Sequence, residues 1–294
     1  MSQPFRLNKE GLINRNKKIS FTFNGKKLFG YEGDTIASAL IANGIHLVGR
    51  SFKYHRPRGF FGAGVEEPNA KLQVEFNGHS EPNVNATEME LVEGLSATSQ
   101  NCWPSVNFDI GAINNFLKMF FPAGFYYKTF MWPKSFWYKI YEPFIRKAAG
   151  LGVASIEKDK ERYEHKFEYC DLLVTGSGPS GLASAYAAAK NGAKVILAED
   201  KPRFGGTLLT DDVSIDNLSG KDWAEKIITE LKSMPNVTVK NRSQVFGYYD
   251  HNMLVMFERV SDHLEKKSKF TPRQRLWYIR AKETILSTGS IERP

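Results

Sequence analysis

Hydrophobic and polar positions change period along the chain, and the changes mark its elements. Ile19-Ser-Phe-Thr-Phe23 and Lys27-Leu-Phe-Gly-Tyr31 alternate about Asn24-Gly25, which predicts two antiparallel strands joined by a tight turn. Ile36 to Asn43 is apolar, follows Asp34-Thr35 and ends at Gly44, so it reads as a short capped helix with a glycine stop. Ala70 to Phe76 alternates again as a returning strand, and residues 77 to 110 read as polar turns and short strands. Further on, Leu172 to Val174 is a short apolar run closed by glycine, suited to a strand buried on both faces. Ala183 to Ala189 is dense in alanine and free of breakers, a helix that can lie close to a sheet, and Val195 to Leu197 is a second strand. Trp223 to Met234 has helical spacing and Val237 to Lys240 is a strand. Met253 to Val260 and Gln274 to Arg280 read as an antiparallel pair across the polar loop 261 to 273.

Between the buried strand and the alanine-rich helix stands Gly176-Ser-Gly178-Pro-Ser180-Gly181. Each glycine answers a demand: Gly176 permits the tight turn, Gly178 lets a pyrophosphate touch the backbone, and Gly181 lets helix and strand approach. The N–H groups opening the helix then face the phosphates. Glu199 lies at the end of the second strand, 23 residues beyond Gly176, where a carboxylate accepts the hydroxyls of an adenosine ribose and repels a 2′-phosphate. NAD or FAD is therefore expected over NADP, although Lys201 and Arg203 are cations that weaken the distinction. The Gly205-Gly206 pair just after the acid resembles the turn beside the bound dinucleotide in two-dinucleotide-binding-domain flavoproteins. Val245 to Asp250 resembles the segment that passes the adenine there, with a plain core strand as the alternative. The segment 282 to 294, with Ser287-Thr-Gly289, resembles the return of the chain to the first nucleotide site.

Hairpin, helix, long loop and returning strand follow the order of a β-grasp ferredoxin-like domain, and Glu32-Gly-Asp-Thr-Ile36 resembles its strand-to-helix entry. Such ferredoxins hold a 2Fe-2S cluster by four cysteines, three of them in the loop after the helix. The loop 46 to 67 has none, so no iron–sulfur cluster is expected. It carries instead Arg50-Ser-Phe-Lys-Tyr-His55-Arg-Pro-Arg58, cations interleaved with aromatics that suit nucleic acid, a flavin phosphate, an acidic protein surface or plain solvation. His55 is expected to be a hydrogen-bonded surface residue rather than a ligand.

Composition narrows the classes. A net charge of +8 is compatible with nucleic acid, an anionic membrane, phosphate-bearing cofactors or an acidic partner, and lysines scattered along the chain favour the last two. Cys102 and Cys170 form neither a disulfide framework nor a metal set, and no export signal precedes residue 18, so a cytoplasmic protein is expected. Phe116 to Phe144 holds 13 of the 38 aromatic residues in 29 positions. Lys118, Pro122, Lys128, Pro133 and Lys134 interrupt it too often for a membrane span, and it reads as an interface segment. No Ser/His/Asp arrangement, paired carboxylates or metal cluster appears, so no catalytic or metal-ligating residue is assigned.

The expected architecture is mixed α+β and α/β. A basic arm spans 1–18, a cluster-free ferredoxin-like domain 19–110, an aromatic segment and linker 111–168, and an incomplete Rossmann-like NAD/FAD-binding domain 169–294. Gly33-Asp-Thr-Ile-Ala-Ser-Ala-Leu40, Gly49-Arg-Ser-Phe-Lys-Tyr-His-Arg-Pro-Arg-Gly59, Gln100-Asn-Cys-Trp-Pro-Ser105 and Gly205-Gly-Thr-Leu-Leu209 resemble the alpha subunits of heterotetrameric sarcosine oxidases. The resemblance implies beta, gamma and delta partners and sarcosine bound and oxidised in the beta subunit. It further implies FMN at the alpha–beta boundary, hydrogen peroxide as product, and a one-carbon unit passed to tetrahydrofolate in a C-terminal domain beyond residue 294. NAD, with FAD as alternative, would be held by Gly176, Gly178, Ser180, Gly181, Glu199, Asp200, Lys201, Gly206, Thr207 and Val245. Two other readings stay open: an FAD-dependent amine or imino-acid dehydrogenase subunit, and a non-catalytic interaction module. Neither nucleic acid nor membrane is expected as partner.

Overall fold

The computed structural model describes residues 3–9, 11–128, 130–150 and 152–291. Residues 1, 2 and 10 of the expected basic arm, 129 and 151 of the expected aromatic segment and linker, and 292–294 of the closing segment fall outside that range. The chain forms two units, one of residues up to Asp159 and one of Lys160–Ser290. Among the described residues no helix is long and apolar enough to cross a membrane.

In the first unit β1 (Asn14–Phe23) and β2 (Lys26–Glu32) are antiparallel, and Asn24 and Gly25 carry the positive φ that their tight turn needs. Helix α1 (Ile36–Ala42) follows; Thr35 caps it, with Ser38 returning the bond to the Thr35 N–H. Then come β3 (Lys71–Phe76), β4 (His79–Asn85) and β5 (Ser96–Ser99). The strands lie in the order β2-β1-β5-β3-β4, with β1 and β5 parallel and the other pairs antiparallel. Phe21, Phe23, Leu28, Leu72 and Leu95 from the sheet close on Ile36, Ala39 and Leu40 of α1. Beyond the sheet, short turns lead on to α2 (Glu142–Ala149). The arm is not loose. Strand β1 begins at Asn14, and Arg6 pairs with the buried Asp34 carboxylate at 2.7 Å.

The loop after α1 is tied inward. Arg50 donates to the carbonyls of His55, Val106 and Asn107 at 2.8 to 3.2 Å, and Arg56 donates to Asn115 at 2.9 Å. His55 departs from its expected surface position: it is 8% exposed, and its Nδ1 lies 2.6 Å from the Asp109 carboxylate. Asp109 in turn accepts the N–H groups of Trp103 and Gly111, so the pair clamps two stretches of chain. Glu67, 1% exposed, accepts backbone N–H bonds from Phe61, Gly62, Asn69 and Ala70. Burial pushes its carboxyl up, but those four donors prevail and hold it below the ordinary value. Its stabilising contribution is therefore present above the unfolded pKa and is lost as pH falls through the folded one. Glu67→Gln turns an NH2 toward donors, and a loss of about 2–4 kcal/mol is expected by chemical denaturation at pH 7. An unchanged midpoint would remove Glu67 as the organiser of this loop.

In the second unit β6 (Tyr163–Thr175), α3 (Pro179–Lys190) and β7 (Val195–Ala198) are followed by α4 (Gly220–Ser233), β8 (Val237–Lys240), β9 (Ser243–Tyr249), β10 (Met253–Arg259) and β11 (Gln274–Leu286). The order is β8-β7-β6-β11-β10-β9, parallel from β8 to β11 and antiparallel beyond. Strand β6 starts within the stretch read as linker, because Tyr163 to Cys170 pair with Gln274 to Ala281 of β11. Leu172, Val174 and Leu197 pack on one sheet face against Leu182, Ala185 and the α4 residues Trp223, Ile227 and Leu231. Leu173, Ile196 and Ala198 face Leu254, Met256, Trp277 and Ile279.

Candidate functional site

The glycine loop sits where the buried strand β6 hands over to α3. Gly176 has φ +96°, and a Cβ there would collide with the Ser287 carbonyl; one on Gly181 would collide with the Gly176 carbonyl. Gly178 differs: a Cβ added to it meets nothing within 4 Å. It is the N-cap of α3, Pro179 follows, no side chain caps the helix and no acid lies in its first turn. The leading N–H groups and the positive end of the dipole are therefore left for an anion in that open space. Ser180 lies exposed on this first turn.

A second glycine turn closes on the first. Gly205 and Gly206 both have positive φ, and a Cβ on Gly206 would stand 3.0 Å from the Gly178 Cα. The Gly205 N–H donates to both the carbonyl and the hydroxyl of Ser177 at 3.1 Å. Thr207 lies in the following turn, where its carbonyl accepts the Thr210 and Asp211 N–H groups.

Glu199, 6% exposed, turns its side chain into this assembly. Its Oε2 accepts the Ser177 N–H at 2.9 Å and the Ser177 hydroxyl at 2.5 Å, and its Oε1 accepts the Lys201 N–H at 3.0 Å. Burial and the neighbouring Asp200 carboxyl push Glu199 up to about 7, against the donors of Ser177 and Lys201. Asp200 lies 3.7 Å from the Lys201 ammonium, and its carbonyl accepts from Arg259 at 2.9 Å. Val245 packs its side chain against the core that holds Ile196, Leu254 and Trp277, as a plain core strand would; two residues earlier, the Ser243 N–H donates to the Glu199 carbonyl at 2.8 Å. The fold thus gathers the glycines, Glu199, Asp200, Lys201, Thr207 and the start of β9 around the end of β6.

Sequence reasoning missed Ser177, the fully buried residue between two glycines that joins both turns to Glu199. A small polar residue inside G-x-G was the available signal. It also missed Glu258, 7% exposed, which accepts from Lys240, Arg275 and the Trp277 indole at 2.6 to 3.0 Å. Burial raises that carboxyl, but the three donors hold it below its ordinary value. No local pattern joins those four positions.

Comparison with known proteins bears on both units. Residues 16–102 match the 2Fe-2S iron-sulfur cluster binding domain family, and residues 171–255 match the FAD dependent oxidoreductase family. The sarcosine oxidase alpha subunit of Rhizobium meliloti (strain 1021) is 54% identical over 290 residues, covering 99% of this chain and 29% of that protein. The sarcosine oxidase alpha subunit of Corynebacterium sp. (strain U-96) is 33% identical, covering 100% and 26%. In fold, L-proline dehydrogenase from P.horikoshii superposes with a TM-score of 0.57 at 19% identity, over 98% of this chain and 43% of its own. The chain spans less than a third of the length of these alpha subunits.

These findings correct the expected cofactors. The match over 171–255 points to FAD where NAD was placed first, and the match over 16–102 sets the first domain among cluster-binding domains, against the expectation of no iron–sulfur cluster. That expectation rested on a single loop, whereas family membership is carried by the whole domain. Tested against the residues present, FAD fits: the space before Gly178 is one that a Cβ would fill, and an uncapped helix end faces it. A cluster needs four thiolates, or thiolates with histidines. Residues 16–102 contain a single cysteine, Cys102, with His46, His55 and His79, and among the described residues no group of three or more His, Cys, Asp or Glu is placed to hold a metal. This donor set does not fit a cluster, and no chemical step is derived through one. With 54% identity along 99% of its residues, the chain is a relative of the sarcosine oxidase alpha subunits and belongs with them over the part of their length that it spans.

Proposed function

We propose that this chain is the FAD-holding part of the alpha subunit of a multi-subunit flavoprotein oxidoreductase acting on sarcosine. In this reading the second unit belongs to a Rossmann-like dinucleotide domain and the first is a ferredoxin-like scaffold. The observation that carries it is Gly178: hydrogen is its only side chain, open space lies before it, and the bare N-terminus of α3 points there.

FAD, when bound, supplies the two-electron acceptor for amine oxidation. What this chain does is hold and orient. The α3 N–H groups and Gly178 take the pyrophosphate, Gly206 and Thr207 border it, and Glu199 with Asp200 and Lys201 surrounds the adenosine ribose. The remaining acceptor capacity of Glu199 Oε1, and its fixed orientation against Ser177, suit it to a ribose hydroxyl. The β9 backbone at Val245 borders the adenine. None of these residues moves a substrate proton. The residues that bind sarcosine, move its protons and pass its methyl carbon to tetrahydrofolate, with oxygen reduced to hydrogen peroxide, belong to other parts of the assembly, built with beta, gamma and delta subunits. Two free thiols, Cys102 and Cys170, accord with a cytoplasmic setting.

The test is the full-length subunit purified with its partners from its own cell. It is expected to release FAD on denaturation, one equivalent of it lost in Gly178→Val, and to consume oxygen with sarcosine. A second reading, an FAD-dependent dehydrogenase of another secondary amino acid, draws support from an opine oxidase chain of Agrobacterium tumefaciens (strain Ach5), 27% identical over 43% of the present chain. Activity with an artificial electron acceptor on proline or an opine, and none on sarcosine, would favour it.

A further inference from the structure

The stretch 103–149 of the first unit carries large apolar side chains in two sets. The inner set packs on itself, Phe121 with Phe125, Phe125 with Phe130, and Phe130 with Tyr141, at ring separations of 5.3 to 6.1 Å. The long loop fastens it: Tyr54 donates to the Phe121 carbonyl at 2.8 Å, and Lys53 donates to the Pro122 carbonyl while standing 4.8 Å from the Phe125 ring. The outer set stands in solvent, with Phe116 84%, Met119 86%, Trp132 83%, Tyr138 83% and Phe144 73% exposed. An ordered scaffold that keeps five large apolar side chains wet forgoes free energy that a second surface would return.

Charge indicates the chemistry of that surface. Residues 111–149 contain Lys118, Lys128, Lys134, Lys139, Arg146 and Lys147 against a single acid, Glu142, which Arg146 engages at 3.0 Å. Apolar anchors among exposed cations form the layout of an interface centre and rim. Met119 rides on the short turn Lys118–Phe120, Tyr138 on Trp137–Tyr141 and Phe144 on α2, while Phe116 follows the turn Ile110–Asn115 and Trp132 lies between turns. None is long enough to lay a continuous apolar stripe along a lipid surface, which favours a shaped protein partner over a membrane.

We propose that this face docks a partner polypeptide presenting an apolar groove rimmed by Asp and Glu. The proposal rests on the multi-subunit reading above, and its readout is separate from the flavin readout.

The experiment uses the full-length subunit co-produced with its partner subunits, in three variants: Trp132→Ser, Phe116→Glu with Met119→Glu, and Lys134→Glu with Lys139→Glu. Each is expected to weaken partner binding at least about 30-fold, measured by size-exclusion chromatography and titration. The lysine pair is also expected to lose the wild type's weakening with added salt. The FAD content and thermal midpoint of the subunit stay at wild-type values, and Trp132→Phe restores binding; a fall in the midpoint of the isolated full-length subunit in all three variants overturns the proposal, because the face would then be covered within the subunit itself. Wild-type partner affinity in all three variants overturns the proposal. So does tight binding of the wild type, lost in the variants, to vesicles of phosphatidylcholine with about a third phosphatidylglycerol while the partner stays bound, because the face would then serve a lipid surface.

Discussion

Gly178→Val is expected to leave the subunit folded and empty, whereas Gly181→Val leaves it unfolded. At Gly178 an added side chain enters space that nothing in the chain occupies, so apo stability changes by less than about 1 kcal/mol. The same space is where the pyrophosphate must touch the backbone, and FAD affinity falls by at least about 100-fold, near 3 kcal/mol. At Gly181 the new Cβ drives into the Gly176 carbonyl, which is backbone and cannot swing away. Helix and strand must separate, at a cost of about 3 kcal/mol or more. Thermal melting of the apo forms and titration with FAD and with ADP read the two effects apart. Retained FAD in Gly178→Val would dismiss the site.

Glu199→Gln is expected to change how the protein responds to pH. Burial and Asp200 raise the Glu199 pKa to about 7 from an ordinary 4.5. Between those two values the folded state keeps a proton that the unfolded state has lost, so stability falls as pH rises through the window. The full span amounts to roughly 3 kcal/mol. Glutamine keeps the acceptor toward Ser177 and donates toward Asp200, but its NH2 meets the Lys201 N–H and loses that bond. The variant should lie about 1 kcal/mol or more below the wild type near pH 5, close that gap toward pH 8, and lack the slope between. FAD binding tests the other side of the same linkage. Ribose hydroxyls donating to the carboxylate favour its ionised form, so wild-type affinity climbs with pH toward 7 and the variant's is weaker and flat. Denaturant titrations from pH 5 to 8.5, with and without FAD, measure both; a wild-type profile flat across that range would end this account of Glu199.

How much was legible in the sequence depended on how far apart the contributing residues lie. Thr35 and Ser38 complete a helix start within four positions, and Asn24-Gly25 sets a turn by itself, so both could be read directly. Gly176 to Glu199 also lie in one contiguous strand–loop–helix–strand stretch, and the spacing of its glycines predicted which would be close to backbone. His55 was misplaced because its partner lies 54 residues away at Asp109, and composition alone made its loop look like a free basic surface. The cluster expectation was corrected by the family match for a related reason: one loop without cysteine was weighed above the domain that carries it, although the donors present do not fit a cluster.

By itself the sequence determined the order of elements, the identity of the glycine loop, and the apolar faces that build three cores, because period and backbone demand are local properties. Only the tertiary structure decided which carboxylate closes which gap: Glu199 onto Ser177, Glu67 onto four N–H groups, Glu258 between Lys240, Arg275 and Trp277. The chain carries 32 acidic residues that look alike in a linear string. Desolvation makes each buried one costly unless donors from other elements converge on it, and that convergence exists only once the chain is folded.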